Sequence, residues 1–204
     1  MKILNLYAGI GGNRKLWGDE HEIVAVENVD YIADAYEKLF PQDKVVREDA
    51  HQYLLDHYEE FDFIWSSPPC PTHSRLNLSF LGDRKYLLKY PDMSLYQEII
   101  FLKHFFKGKW LVENVISYYN PLIHPRMVYD RHYFWSNFHL PYEKYKRNYN
   151  LAEAKKEDIS KHADIILPEG TKDQRKLLRN AVDPKIGLHI LEAAQIEERQ
   201  EALL

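Results

Sequence analysis

Five short apolar runs, each followed by turn residues and most by an amphipathic stretch, restrict this chain to one kind of sheet. "KILNLYAGIGG" is an apolar strand, Lys2 to Tyr7, running into glycines, and "NRKLWG" starts a short helical piece. "HEIVAVENVD" gives a second strand, Ile23 to Val26, and "YIADAYEKLFP" carries apolar residues at helical spacing until Pro41 stops it. "DKVVREDA" reads as a short third strand before the helix-like "HQYLLDHYEE". "FDFIWSS" is a fourth strand, and "KWLVEN" a fifth. Between those two, "SLYQEIIFLKHFFKG" is a helix, with Ser94 expected as its N-cap and Gly108 at its end. Strands alternating with helices in this way predict an α/β fold, a doubly wound and mostly parallel sheet.

After Val115 the pattern changes. "RMVYDRHYFWSNFHL" reads as two strands around a tight turn at Asp130, an antiparallel edge. Residues from Pro141 to Gly170 are polar and weakly periodic, and the C-terminal stretch holds two helices separated near Pro184. The expected division is therefore an α/β domain over residues 1–140, a small insertion over 141–170, and C-terminal helices over 171–204 that complete the first unit. With 27 basic and 31 acidic residues the net charge is -4, so no overall cationic field exists and a nucleic-acid partner must be met by a local patch. A strand begins at residue 2 and no apolar run approaches ~20 residues, so the expectation is an intracellular, soluble chain without a signal peptide or membrane contact.

In open α/β sheets, ligands bind at the carboxyl ends of the strands. The chemically useful residues fall there repeatedly: Gly9, Glu27, Asp49, Cys70, and the pair Glu113 and Asn114. The glycines of "YAGIGG" let the backbone turn tightly beside a ligand. Arg14 and Lys15 occupy the later positions of a dinucleotide fingerprint, which favours a smaller nucleoside-bearing cofactor. Glu27 is placed either to accept from ribose hydroxyls or to cap the next helix, and Asp49 either to take an adenine amino group or to cap the helix at Ala50. Cys70 is the only cysteine, which excludes an internal disulfide and a cysteine metal cluster. It leaves a strand end between Pro68, Pro69 and Pro71, a stiff mount better suited to presenting a nucleophile than to filling a core, with the carboxyl of Glu113 at a neighbouring strand end. His73, His124, His132 and His139 show no metal-ligand spacing.

The ordered set "LYAGIGG", "VAVENVD", "SSPPCPTHS", "WLVENV", "RHYFW" and "RNAV" resembles the DNA cytosine-5 methyltransferases and covers most of the chain in that family's order. The resemblance implies the S-adenosylmethionine-dependent methyltransferase type of sheet, with S-adenosylmethionine as cofactor. Tyr7, Gly9 and Gly11 would line its methionine end and Glu27 its ribose. Asn28 and Asp49 would meet the adenine, and Pro69 and Asn180 would complete the cofactor side. Cys70 would be the nucleophile, Glu113 the proton donor to ring nitrogen 3 of cytosine, Asn114 the residue that positions the loop, and Arg131 the ligand of the cytosine carbonyl. Arg75 to Pro91 is similar to the family's catalytic loop and following helix. The target base would be flipped out of double-stranded DNA. The compact form is similar to phage or mobile-element members, which implies a bacterial cytoplasm.

Several residues depart from the family pattern. Asn5 stands for the usual Asp and Tyr7 for Phe, Pro71 for Gln and His73 for Phe, and Arg179 for the glycine before Asn180. Nucleic-acid contacts are expected from Ser74 and Arg75 and from the cations Lys144, Lys146, Arg147, Lys172, Arg175 and Lys176, interleaved with Tyr142, Tyr145 and Tyr149. So short a recognition region predicts a short or degenerate site; separately, no obligatory protein partner is expected. Methylation of RNA or free cytosine nucleotides, or binding without turnover, are the competing expectations.

Overall fold

In the computed structural model, residues 1–75, 90–145, 149 and 153–201 are described, 197–201 as backbone only. Seven strands form one sheet in the order β3-β2-β1-β4-β5-β7-β6. They are β1 (Lys2–Leu6), β2 (Glu22–Val26), β3 (Lys44–Val46), β4 (Phe63–Ser66), β5 (Lys109–Val115), β6 (Met127–Tyr129) and β7 (His132–Ser136). The first five run parallel. The order doubles back after β3, so β1 and β4 lie side by side and their exits form a crevice, the usual ligand position in such sheets. β7 is antiparallel to β5 and pairs with β6 through the hairpin expected at Asp130, whose φ of 51° closes the turn.

Alternation along the strands gives the sheet two apolar faces. Leu4, Leu6, Val24, Val26, Ile64 and Val112 meet α2 (Ala50–His57) and α3 (Ser94–Phe105). Ile3, Ile23, Phe63, Trp65, Leu111 and Phe134 face the opposite way, onto Trp17, which follows a short 3₁₀ turn (Asn13–Leu16), and onto α6 (Pro184–Glu201). Both sides of the central strands are thus covered, which explains their nearly continuous apolar sequences. Trp65 is completely buried; truncation there to alanine costs about 3–5 kcal/mol.

α1 (Asp30–Leu39) also lies on the second side, where Tyr36 and Phe40 meet Ala25. A third layer covers its outer surface. Ala35 of α1 and Ile10 meet Ala154, α4 (Lys156–Ala163) through Ile159 and Ala163, Ile165, and α5 (Gln174–Asn180) through Leu177 and Leu178. The described part of the segment 141–170 is therefore anchored on α1 and α5 by apolar contacts.

One cap differs from expectation. Ser94 is the first helical residue of α3 and Met93 its N-cap; Asp92, just before the cap, satisfies the Ser94 amide through Oδ1 at 3.0 Å. α3 ends at Phe105, three residues before Gly108. Gly108 is required by packing, since a Cβ there would sit 2.4 Å from the Asp62 carbonyl. Arg14 also serves the fold: its Nε and Nη2 bind Asp43 at 2.8 and 3.0 Å in a buried pair beneath the Phe40 ring.

Candidate active site

The exit of β1 passes through Tyr7, Gly9 and Gly11, all with positive φ (54°, 56° and 70°). The two glycines are needed for different reasons. A Cβ on Gly11 would lie 2.4 Å from the Phe40 ring, so this glycine lets α1 approach. Around Gly9 a Cβ would meet nothing within 4 Å, so its backbone faces open space. The Gly9 amide donates to Oε2 of Glu27 at 3.1 Å, and the Val29 amide donates to Oε1 at 2.9 Å. Burial raises the Glu27 pKa, while these backbone amides work against that rise. Asn28 is exposed beside it. Asp49 is the N-cap of α2, its Oδ1 accepting from Gln52 at 2.9 Å. Asn180 ends α5, and the next residues reach the glycine turn: a Cβ on Gly12 would lie 2.5 Å from the Val182 carbonyl.

Cys70 follows β4 on a loop fixed to its neighbours. Trp65 Nε1 donates to Ser67 Oγ at 2.9 Å, and the Ser67 amide donates to the Leu6 carbonyl at 3.3 Å. Asn114, buried at the end of β5, donates from Nδ2 to the Pro68 carbonyl at 2.9 Å, while its Oδ1 accepts from the Val115 amide at 3.0 Å. One side chain thus ties the proline run to the neighbouring strand. Pro69 is exposed. Beyond Cys70, the amides of His73 and Ser74 donate back to its carbonyl at 3.0 and 3.1 Å, closing a tight turn.

The charges around the thiol are mutually dependent. Burial pushes the Glu113 carboxyl up to about 7, moderated by a hydrogen bond from Ser67 and by Arg131. Burial and the Glu113 charge raise the Cys70 thiol, and Arg131 lowers it. Burial lowers the Arg131 guanidinium, whose Nη2 donates to the Arg179 carbonyl while Nε, also buried, has no partner among the described residues. His132 Nε2 lies 3.4 Å from Glu113 Oε1, and burial holds this imidazole at about 3, hence neutral at pH 7. A half-buried thiol, a carboxyl that retains its proton near neutrality and an unpaired guanidinium donor therefore converge at one edge of the sheet.

Residues 1–116 match the family model of the C-5 cytosine-specific DNA methylases, more than half of the 204 residues. The chain belongs to that family. S-adenosylmethionine is its cofactor, and the open space at Gly9 beside the amide-bound Glu27 carboxylate fits such a nucleoside-bearing donor. Among solved structures, the methyltransferase EhMeth of Entamoeba histolytica is similar in fold, with 11% identity over 97% of this chain and 98% of that one and a TM-score of 0.57. Weaker similarity links it to a DNMT2 variant of Spodoptera frugiperda, 21% identical over 71% of this chain and 53% of that one, TM-score 0.45. A putative DNA modification methyltransferase from an Escherichia coli prophage is 18% identical over 59% of this chain and 33% of its own, TM-score 0.39. No curated protein sequence matches.

In this methylase the matched region ends at the exit of β5, so Arg131, the hairpin and every cation of the C-terminal third lie beyond it. Lys144, Lys172, Arg175 and Lys176 are exposed. Arg175, Lys176 and Arg179 line an open recess of about 410 Å³ with Asp173 and Gln174. Arg175 Nε also donates to the Ala154 carbonyl at 3.0 Å, which joins α5 to the segment before α4. Because Arg131 reaches the Arg179 carbonyl, this cationic helix abuts the thiol pocket. Ser74 and Arg75 both bind Ser117, Arg75 through Nε to its carbonyl at 3.2 Å. Lys146, Arg147 and residues 76–89 of the expected loop lie outside the described residues. Among the described residues there is no metal-binding cluster, and no helix is long and apolar enough to cross a membrane.

Two residues of the site carry no role in the sequence reading. His132 is one: the antiparallel register places it opposite Val115, diagonal to Glu113. Glu98 is the other. Completely buried on α3, it accepts from Tyr7 Oη at 2.5 Å and Ser66 Oγ at 2.5 Å, with His51 Nδ1 at 3.2 Å. The sequence does hold a signal for it, since Glu98 shares the apolar stripe of Leu95, Ile99 and Leu102, where a carboxylate needs partners. The phenol of Tyr7, in place of the family's Phe, is one of those partners.

Proposed function

We propose that this chain transfers a methyl group from S-adenosylmethionine to carbon 5 of a cytosine flipped out of double-stranded DNA. The observation that carries the reading is the convergence of the sole cysteine, Cys70, with a carboxyl titrating near 7 and the Arg131 guanidinium beside the glycine turn. Cytosine carbon 5 is a weak nucleophile. The Cys70 thiolate forms a bond to carbon 6 while the Glu113 carboxyl gives its proton to ring nitrogen 3, so the addition leaves a neutral enamine and passes the negative charge to the Glu113 carboxylate, which the Arg131 charge favours. Arg131 donates to the carbonyl oxygen of the base and favours the thiolate. The cofactor supplies an electrophilic methyl group within reach of the enamine. Release of the carbon 5 proton to solvent, return of the nitrogen 3 proton to the Glu113 carboxylate and departure of the Cys70 sulfur as thiolate restore the aromatic ring. Asn114 keeps the loop in register during both bond changes.

Lys144, Lys172, Arg175 and Lys176, with Ser74 and Arg75, grip phosphates around the pocket, and the small segment 141–170 reads a short or degenerate site. The test is methyl transfer from labelled cofactor to duplex DNA, RNA and free cytidine nucleotides, followed by mapping of the methylated base. The account requires label at carbon 5 of cytosine in duplex DNA, with a rate that falls steeply as salt rises. Transfer only to RNA or to the monomer would overturn the substrate.

A further inference from the structure

We propose that His73 is a positioning residue that fixes the Cys70 thiol through Tyr119 and Tyr96; the proposal rests on the reading of Cys70 as nucleophile. His73 is held at three points. Its amide donates to the Cys70 carbonyl at 3.0 Å and its carbonyl accepts from the Tyr118 amide at 3.1 Å. Its buried ring places Nδ1 2.5 Å from Tyr119 Oη. The chain continues, since Tyr96 Oη donates to Tyr119 Oη at 3.4 Å and accepts from the Leu122 amide at 3.1 Å. These directions leave the Tyr119 hydroxyl hydrogen to be given to Nδ1, so the ring is neutral with its proton on Nε2. The adjacent residue is secured as well, Thr72 Oγ1 accepting from the Asp92 amide at 3.0 Å.

A phenylalanine, the family's usual residue here, fills the same space but offers Tyr119 no acceptor. The imidazole therefore makes the turn after the nucleophile one rigid unit with the start of α3 and the loop after β5. A displacement near 1 Å at a reacting atom costs on the order of 10²-fold in rate, so orientation of this turn is a catalytic variable.

The experiment uses the full chain and four variants: His73→Phe, His73→Asn, Tyr119→Phe and the double variant His73→Phe/Tyr119→Phe. Three quantities are read: the rate of covalent capture by duplex DNA containing 5-fluorocytosine, iodoacetamide alkylation of Cys70 as the only thiol, and cofactor affinity. His73→Phe and Tyr119→Phe are each expected to slow capture about 10- to 100-fold with cofactor affinity unchanged. The double variant should be no slower than the slower single one, because the two side chains act as a unit. His73→Asn, whose amide oxygen replaces Nδ1 as acceptor, should recover most of the rate. Wild-type capture by His73→Phe, losses that multiply in the double variant, or a parallel fall in cofactor affinity would each overturn the proposal. If the unaltered protein forms no adduct, the nucleophile reading fails. Alkylation then decides the positioning claim, which requires that both single variants change its rate severalfold.

Discussion

The two halves of the crevice differ in how far their polar groups are satisfied. On the cofactor side, at the exits of β1 to β3, the Glu27 oxygens hold two backbone amides and Asp49 caps a helix. On the other side, at the exits of β4, β5 and the hairpin and on the adjoining α5, buried polar atoms have no partners among the described residues: His73 Nε2, Arg131 Nε, His132 Nδ1 and Arg179 Nε. Among the described residues only His21 Nδ1 shares that condition elsewhere. A buried unpaired donor costs roughly 1–3 kcal/mol. The contrast is between one half preorganised by its own backbone and one half that keeps buried polar atoms without partners among the described residues.

The comparison is broken most severely at the thiol. Cys70→Ser should reduce turnover by at least ~10³-fold, measured as label transfer, with cofactor affinity intact. If the variant retained activity, Cys70 would be no nucleophile. Next comes Glu113→Gln, expected to cost about 10²- to 10⁴-fold because the amide cannot release a proton to ring nitrogen 3. Its pH profile sharpens the assignment. The carboxyl is raised to about 7 and the thiol is raised above its ordinary value. The reactive pair, thiolate and protonated carboxyl, carries one proton. Wild-type rate should thus climb as pH rises through 7, where the two-proton form disappears, and fall above the thiol's pKa, where none remains. Glu113→Gln should lose the limb near 7 and keep rising until the thiol ionises. A wild-type rate flat between pH 6 and 8 would contradict the pairing.

Much of this contrast is legible in the sequence, for a physical reason. Strand exits in a doubly wound sheet are where ligands bind, and the alternation of strands and helices is enough to locate those exits. Glu27, Asp49, Cys70, Glu113 and Asn114 all lie at that edge. The sequence could flag Glu98 as a carboxylate in an apolar stripe but could not name its partners, nor reveal His132, because both roles come from tertiary register: a helix face set against β4, and a hairpin paired antiparallel to β5. Asp49 does cap its helix, through Oδ1. Ser94 is not the cap because the helix begins one residue earlier than expected, with Met93 at the N-cap and the Asp92 carboxylate accepting from the Ser94 amide.

Smaller effects test the cofactor half and the approach of DNA. Glu27→Ala should weaken S-adenosylmethionine binding roughly 10- to 100-fold by calorimetry, in line with one lost hydrogen bond to a charged group. It should leave the Cys70 alkylation rate within about twofold. Arg131→Met should do the reverse, shifting the alkylation pH profile upward because the guanidinium lowers the thiol's pKa, with cofactor affinity unchanged. Crossed effects would mean that the halves are not independent. Smallest of all, Lys172→Ala and Lys176→Ala should each reduce the salt slope of DNA binding by about 1 while leaving methylation of bound DNA unaltered.

The most direct measurement is intact mass spectrometry of the protein incubated with S-adenosylmethionine and a duplex carrying 5-fluorocytosine. The fluorine at carbon 5 leaves no proton to lose, so sulfur cannot depart once the methyl group has been transferred. The account predicts a species equal to protein plus oligonucleotide plus one methyl group, linked through Cys70 and missing in Cys70→Ser. A duplex that is methylated without any such adduct, or an adduct that persists in Cys70→Ser, would contradict it.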